Sequence, residues 1–400
     1  MNILRVMGCP SYNFGSQEKY IVKIAEELRS QGHKYFVVYE NLPENKEFVY
    51  RLKHSGAKLF TINPVRYLES RVKNKFVKSL LNPFYDIFDL PSIIKIRKII
   101  KDYHIDIIHS YFSRSLYASF IGKLMGKKTC RTLSNPFISS DSRVSKSIFK
   151  EIYLFTRNIL PMIFLDKTIA LSKIIDKELS SYGIFNDKII FISTGVNVDF
   201  FNPINYNRGE LRKELGLSNS DFIIGYTGRI ENRQKNLLFA IRVVKKVIKN
   251  NRNIFFVLVG GSKDDYWKNR LIEESKSLGI NNQIIFLGRR ENIASILKDF
   301  DVFLMTSFYE GMPGSLMEAM SMELPCVTSN AHAFQEIIKT EQNGFLCDLE
   351  SPKEFSNCLN RLKKESKLRK TIGLKARRTV IENYNFQNRV DQTIKLYTLL

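Results

Sequence analysis

The sequence predicts an α/β protein of two Rossmann-like domains, each a parallel sheet wound by helices, with the two sheets facing a central cleft. Three observations predict it. Short apolar runs alternate with amphipathic helical segments along the chain, which is the pattern of βαβ units. That pattern starts twice, at NILRVM and again at DFIIGYTGRI, each time as an apolar strand entering a glycine-bearing loop and then a helix. The 400 residues are also more than one core usually holds.

The elements follow in order. NILRVM is a strand, GCPSYNFGS a loop, IVKIAEELRSQG a helix closed by Gly32, and YFVVYE the next strand. Further strands are expected at AKLFTI, HIDIIHSYF, KKTCRTL, KTIALS and KIIFIST, with a less regular basic stretch, Arg66–Lys101, inserted before the His104 strand. After the second start come the helix NLLFAIRVVKKVIK and the strands IFFVLVGG, IIFLG, DVFLM and PCVTS, separated by helices. A linker is expected near GVNVDFFNPIN, Gly195–Asn205, where Asn, Asp and Pro collect between periodic regions. The expected domains are residues 1–200 and 201–384. A C-terminal helix over about 385–400 would pack back on the first.

Composition narrows the function. The five cysteines are scattered without CxxC spacing, which fits a reduced, cytoplasmic setting and argues against a zinc site. No apolar run approaches the roughly 20 residues that span a bilayer, so any membrane contact would be peripheral, at the inner face of the cell membrane. Sixty-two basic against 40 acidic residues give +22, and residues 1–200 carry 13 of that surplus. Such a balance suits nucleic acid, an anionic membrane or phosphorylated substrates, and equally a compositional lysine bias. No helix-turn-helix, zinc finger or RNP-like pattern supports nucleic acid.

The chemistry should sit on the loops after the strands. Gly15 and Ser16 stand where the first helix begins, an anion site if its N–H groups are free, and otherwise an ordinary helix start. Arg229 and Lys235 flank the first strand-to-helix turn of the second half, in GRIENRQKN after Gly228, with Arg233 between them. Cations beside a helix N-terminus are unfavourable unless an anion joins them, and a diphosphate would be one. In YEGMPGSLMEAM, Pro313 and Gly314 deliver a helix start at Ser315, and Glu310 and Glu318 offer acceptors for sugar hydroxyls. Ser315 to Glu318 also has capping-box spacing, which would make Glu318 only a cap.

Together, TGR with its following lysine, YEGMPGSLMEAM, FLGRRENI and STGVNVDFF resemble the retaining, GT-B-fold glycosyltransferases of family 4, over nearly the whole chain. The resemblance implies a nucleotide-sugar donor, such as a UDP- or GDP-sugar, held mostly by residues 201–384, with the acceptor held mostly by residues 1–200. Glu318 would then bind the ribose, Arg229 and Lys235 the diphosphate, and Glu310 with the Met312–Leu316 backbone the donor sugar and phosphates. Gly15 and Ser16 would close on the diphosphate, and Gly228 and Arg289 belong to the same donor-side motifs. Two features depart from the family. Ser16 replaces a second glycine, and Ser134 or Asn135 stands where a histidine usually contacts the sugar. His109, at the end of HIDIIH, is offered as a substitute and equally as a packed strand-end histidine.

The expected function is therefore transfer of a sugar to a glycan or lipid-linked acceptor in bacterial surface polysaccharide synthesis, with no cofactor. No DxD or histidine cluster suggests a metal. The rivals are a basic nucleic-acid-binding protein and a nucleotide-sugar hydrolase or epimerase of the same architecture.

Overall fold

A computed structural model of the chain describes residues 1–7, 16–62, 90–111, 115–134, 160–181, 186–248, 251–262 and 265–400. These residues divide into two units, Met1–Ser193 with Asn388–Leu400, and Thr194–Gln387.

The first unit holds a parallel sheet of β1 (Asn2–Met7), β2 (Lys34–Tyr39), β3 (Lys58–Thr61), β4 (Ile107–Tyr111), β5 (Lys128–Leu133), β6 (Lys167–Ala170) and β7 (Ile189–Phe191), ordered β3-β2-β1-β4-β5-β6-β7. Alternate residues point to opposite faces, so register assigns each side chain to a layer. On one face, Leu4, Val6, Phe36, Val38 and Ile108 form an apolar core with Ile96, Ile99 and Ile100 of the helix Leu90–Asp102 and Ala118 and Ile121 of the helix Leu116–Leu124. On the other face Arg5 pairs in register with His109, and His109 with Cys130. That layer lies under Tyr20 of the helix Ser16–Ser30 and under the C-terminal helix Phe386–Leu399, where Tyr20 and Thr393 hydroxyls meet at 2.6 Å.

The second unit has a six-stranded parallel sheet of β8 (Phe222–Thr227), β9 (Ile254–Val259), β10 (Ile284–Gly288), β11 (Val302–Met305), β12 (Cys326–Ser329) and β13 (Phe345–Cys347), ordered β10-β9-β8-β11-β12-β13. Its two faces carry separate apolar layers, one including Ile223, Val257, Phe303 and Met317, the other Ile224, Phe256, Leu304 and Val327. A buried ionic cluster fastens β8 to β11. Arg212 Nη2 donates to Asp301 Oδ2 at 2.8 Å, Asp301 Oδ2 also accepts from the Ile223 amide at 2.8 Å, and Asp299 accepts from the amides of Gly209 and Leu211 at 2.5 and 2.7 Å. The strand order reverses between β8 and β11, so the loops after these two strands flank the point where open α/β sheets bind ligands.

The described elements refine the expected ones. Leu90–Asp102 is a regular helix rather than part of an irregular stretch; residues 66–89 of that stretch lie outside the described residues. Gly195–Asn205, near which the linker is expected, begins just after the Ser193/Thr194 boundary between the units, and its Val196, Val198 and Phe201 are buried in a core layer of the second unit. Its asparagines serve local turns: Asn197 Oδ1 accepts from the Asp199 and Phe200 amides at 3.1 and 2.9 Å, and Asn202 caps the 3-10 turn Pro203–Asn205. Gly195 is required here, since a Cβ would come within 2.6 Å of the Phe386 Cα. Finally, β13 is an additional strand, three residues long at the sheet edge.

Candidate active site

The loop after β8 begins at Gly228, whose φ is 153°, and its shape is set by neighbouring strand ends. The Gly228 amide donates to Val259 O at 2.9 Å, Ile230 N to Gly261 O at 2.9 Å, and Gly260 N to Gly288 O at 2.8 Å. A Cβ on Gly260 would stand 1.7 Å from Gly228 O, so only glycine lets these loops meet. Arg289, on the exposed loop after β10, lies across Gly261, where a Cβ would meet its Nε at 2.6 Å.

The segment from Arg229 to Asn236 is built by its own acceptors. Glu231 accepts from the Gln234 and Lys235 amides, each at 3.1 Å, and Asn232 Oδ1 from Leu238 N at 2.9 Å, leading into the helix Leu237–Ile248. Thr306, just after β11, donates to the Asn236 carbonyl at 3.0 Å and so locks the two loops together. Phe308 N adds a bond to Gln234 O at 2.8 Å.

Those contacts bring together two motifs 75 residues apart in sequence. Lys235 Nζ is 2.6 Å from Glu310 Oε1, with side-chain exposures of 11% and 7%. Gln234 Nε2 donates to Glu310 Oε2 at 3.2 Å and to Tyr309 O at 3.1 Å, and Gln234 Oε1 accepts from Arg229 Nη2 at 2.7 Å. The result is a chain Arg229–Gln234–Glu310–Lys235 across the switch point, exposed at Arg229 and buried at Lys235. Beneath it the buried Tyr226 donates to Arg229 O at 3.0 Å. Burial holds this phenol well above its ordinary pKa, and the Glu310 and Glu231 carboxylates push the same way.

The helix Gly314–Ser321 starts beside this chain. Pro313 is its N-cap residue and no side chain caps it, so the capping box expected at Ser315 does not form. Ser315 lies inside the first turn, two residues too late to cap. Met312, Gly314, Ser315 and Glu318 are half-buried, while Pro313 and Leu316 are buried. Uncapped amides at a helix N-terminus suit an anion.

Other expected site residues lie elsewhere. His109 is fully buried in the middle of β4, not at a strand end, and both ring nitrogens are engaged, Nδ1 with the Tyr397 hydroxyl and Nε2 with that of Thr132, each at 2.6 Å. It is a packed core histidine, and the reading of it as a sugar-contacting group is withdrawn. Burial, and then the positive charges of Arg5 and Arg389, hold its pKa well below the ordinary histidine value. Ser16 opens the helix Ser16–Ser30, and Ser134 directly follows β5; Gly15 and Asn135 lie outside the described residues. Among the described residues no three His, Cys, Asp or Glu side chains gather as a metal-binding group. Gln234 and Glu231 were missed by sequence reasoning. Their one signal was the polarity of ENRQ, which any solvated loop shares.

A doubly wound parallel sheet with paired charges and an uncapped helix start at its switch point is the architecture of an α/β ligand-binding protein. The chain belongs to the family 4, group 1 glycosyltransferases: residues 17–200 match Glycosyltransferase Family 4 and residues 207–379 match Glycosyl transferases group 1. It is 30% identical over 339 residues to the UDP-Gal:alpha-D-GlcNAc-diphosphoundecaprenol alpha-1,3-galactosyltransferase of Escherichia coli, spanning 83% of this chain and 85% of that protein. Among solved structures, Anabaena HepE in complex with UDP aligns with a TM-score of 0.79 at 19% identity over 100% of both chains. A glycosyltransferase from Rickettsia africae aligns at 0.77 and 24% identity over 99% of this chain and 97% of that one. The fold is GT-B, and the protein is a glycosyltransferase related to those that build bacterial lipid-linked and surface glycans.

Proposed function

We propose that this glycosyltransferase moves a sugar from a UDP-sugar to a hydroxyl of a lipid-linked acceptor glycan, with retention at the anomeric carbon and without a metal. The observation that carries the donor site is the Lys235–Glu310 pair, which joins the two motifs at the switch point of the second sheet. The name of the Escherichia coli relative supports a uridine diphosphate donor and a diphosphoundecaprenol-linked acceptor.

In this reading the departing diphosphate gains charge in the transition state, and fixed donors nearby lower the barrier. An ammonium has three donors. Glu310 takes one from Lys235, which leaves two for phosphate oxygens. Gln234 holds the Arg229 guanidinium towards the same side of the loop, and the Gly314–Leu316 amides supply the uncapped donors. Glu318 and Glu310 accept hydroxyl hydrogens from the ribose and the sugar. No metal is then needed for charge, so activity is expected to survive excess chelator. Abolition by chelator with rescue by Mg²⁺ or Mn²⁺ contradicts this.

For a lipid-linked acceptor, the first unit carries an exposed apolar group beside lysines. Phe120 and Phe164 pack edge to face at 6.1 Å while about half exposed, and Leu124 is 75% exposed one turn further along its helix. Lys188 donates to Ile163 O at 2.9 Å beside them. Aromatic and basic side chains together suit an anionic bilayer surface. The stretch Arg66–Leu81, RYLESRVKNKFVKSLL, alternates basic and apolar residues in a way that also suits such a surface, and it lies outside the described residues. No helix among the described residues is long and apolar enough to cross a membrane. Binding to anionic but not neutral liposomes, lost in high salt, is the expected result; equal binding to both, or to neither, contradicts the membrane contact. The enzyme reading itself is tested by incubating a panel of nucleotide sugars with and without a lipid-diphosphate-linked sugar. Release of UDP that depends on acceptor supports it, whereas release at the same rate without acceptor favours a hydrolase.

A further inference from the structure

Cys347 ends β13 and Cys358 lies on the helix Pro352–Lys364, and their sulfurs are 3.7 Å apart. None of the donor-site chemistry uses them. The other free cysteines among the described residues, Cys130 and Cys326, are fully buried in separate places. We propose that Cys347 and Cys358 form a redox-modification site, a vicinal dithiol that a hydroperoxide converts to an intramolecular disulfide tying the edge strand to the helix.

Geometry makes the two thiols unequal partners. Cys347 is buried, at 1% exposure, whereas Cys358 is only half-buried and reachable from solvent. The Cys347 thiol points its weak donor at the Cys358 sulfur, which holds the Cys358 pKa below the usual thiol value, and the Arg361 guanidinium one turn along the helix acts in the same direction. Partial burial and the Glu354 and Glu341 carboxylates oppose this. The same hydrogen bond, with burial, raises the pKa of Cys347. Cys358 is therefore the sulfur that ionises and attacks first, and Cys347 is the resolving thiol.

The steps balance. The Cys358 thiolate attacks one oxygen of hydrogen peroxide, an S–O bond forms as O–O breaks, and hydroxide leaves to be protonated to water. Cys347 sulfur then attacks the Cys358 sulfenic acid. An S–S bond forms, the S–O bond breaks, and the Cys347 proton leaves with the hydroxide as a second water. Two thiols lose two electrons in all, and one peroxide becomes two waters. The sulfurs must close from 3.7 Å to the roughly 2.05 Å of a disulfide, a movement that the edge position of β13 permits, because this strand has a ladder partner on one side only.

The test is peptide mapping of the full-length protein after treatment with stoichiometric hydrogen peroxide and alkylation of free thiols. Trypsin separates the two cysteines into Thr340–Lys353 and Glu354–Arg361. The expected result is one cross-linked species of these two peptides, 2 Da lighter than their sum. Dithiothreitol should reverse it, and the oxidised protein should melt several degrees higher. Cys358→Ser should leave Cys347 unmodified at the same dose, and Cys347→Ser should trap Cys358 as a sulfenic acid that reacts with dimedone. Cys358 reaching sulfinic acid while Cys347 stays free, or both thiols surviving a dose that oxidises methionine, overturns the proposal. So does a cross-link of either cysteine to a different partner.

Discussion

The two units each bury a polar cluster, and the clusters differ in where they stand on the sheet. In the second unit Lys235, Glu310, Gln234 and Arg229 sit on loops beyond the strand ends, with Lys235 paired to Glu310, Arg229 held by the Gln234 amide and one end open to solvent. In the first unit Arg5 and His109 lie in the middle of the sheet under two helices, and Arg389 belongs to one of those helices, the C-terminal one. Arg5 stands 5.3 and 5.2 Å from the ring centroids of Tyr20 and Tyr111, Arg389 stands 3.7 Å from that of Tyr20, and neither has a carboxylate partner among the described residues. Ring faces stand in place of counter-charges there. The mid-sheet cluster is buried and holds the C-terminal helix in place through the Tyr397–His109 and Thr393–Tyr20 contacts. The strand-end cluster keeps donors and acceptors where a ligand can reach them.

The largest effect expected separates these roles by mutation. Lys235→Met leaves Glu310 buried without its partner, at a cost of about 3–5 kcal/mol in stability, and removes a cation from the diphosphate. Adding Glu310→Gln should recover most of the melting temperature while turnover stays at least about 100-fold down. If the double mutant recovers both, the pair is structural like the mid-sheet cluster. Melting curves and turnover on the same samples decide this.

Next in size is Tyr397→Phe, which deprives a buried ring nitrogen of His109 of its partner. The expected loss is on the order of 1–3 kcal/mol in stability, with unchanged turnover per folded molecule. Denaturant unfolding alongside active-site-normalised kinetics measures it, and a fall in turnover without loss of stability would return His109 to the chemistry.

Glu318→Gln sharpens the comparison from the other side. Because Pro313 and not Ser315 occupies the N-cap position, Glu318 has no capping box to lose, and the stability cost should stay well below that of Lys235→Met. Donor affinity should weaken by about 1–3 kcal/mol if the carboxylate accepts ribose hydroxyls. Calorimetry with the donor and a melting curve together test both halves.

The smallest effect expected is on pH. The folded state holds the His109 pKa below its unfolded value of 6.5, so the unfolded chain takes up a proton that the folded one refuses. Stability attributable to this histidine is complete above pH 6.5 and declines as pH falls below it. His109→Asn should flatten that decline in chemical denaturation between about pH 5 and 7, even though its absolute stability is lower. An equal slope in both proteins contradicts the assignment.

Much of the fold was legible because parallel strands buried on both faces read as apolar runs, and twelve of the thirteen strands among the described residues coincide with the expected runs. β13 escaped because FLC is too short for a pattern to show. The donor loops were legible as charged segments after strands, but their joining was not. No spacing rule links Lys235 to Glu310, and only the adjacency of β8 and β11 brings them together. Gln234 carries the link between Arg229 and Glu310 and is silent in the sequence, since an amide in a polar loop makes no period. His109 was misread because the strand runs on to Tyr111, which turns a strand end into the middle of a sheet.

Titration calorimetry with UDP tests the central claim most directly, that the loops after β8 and β11 form the donor site and the middle of the first sheet does not. Wild-type protein and Tyr397→Phe should bind UDP with the same affinity, and Lys235→Met/Glu310→Gln should bind at least about tenfold more weakly, a difference of about 1.4 kcal/mol. Equal affinity in all three would contradict the account.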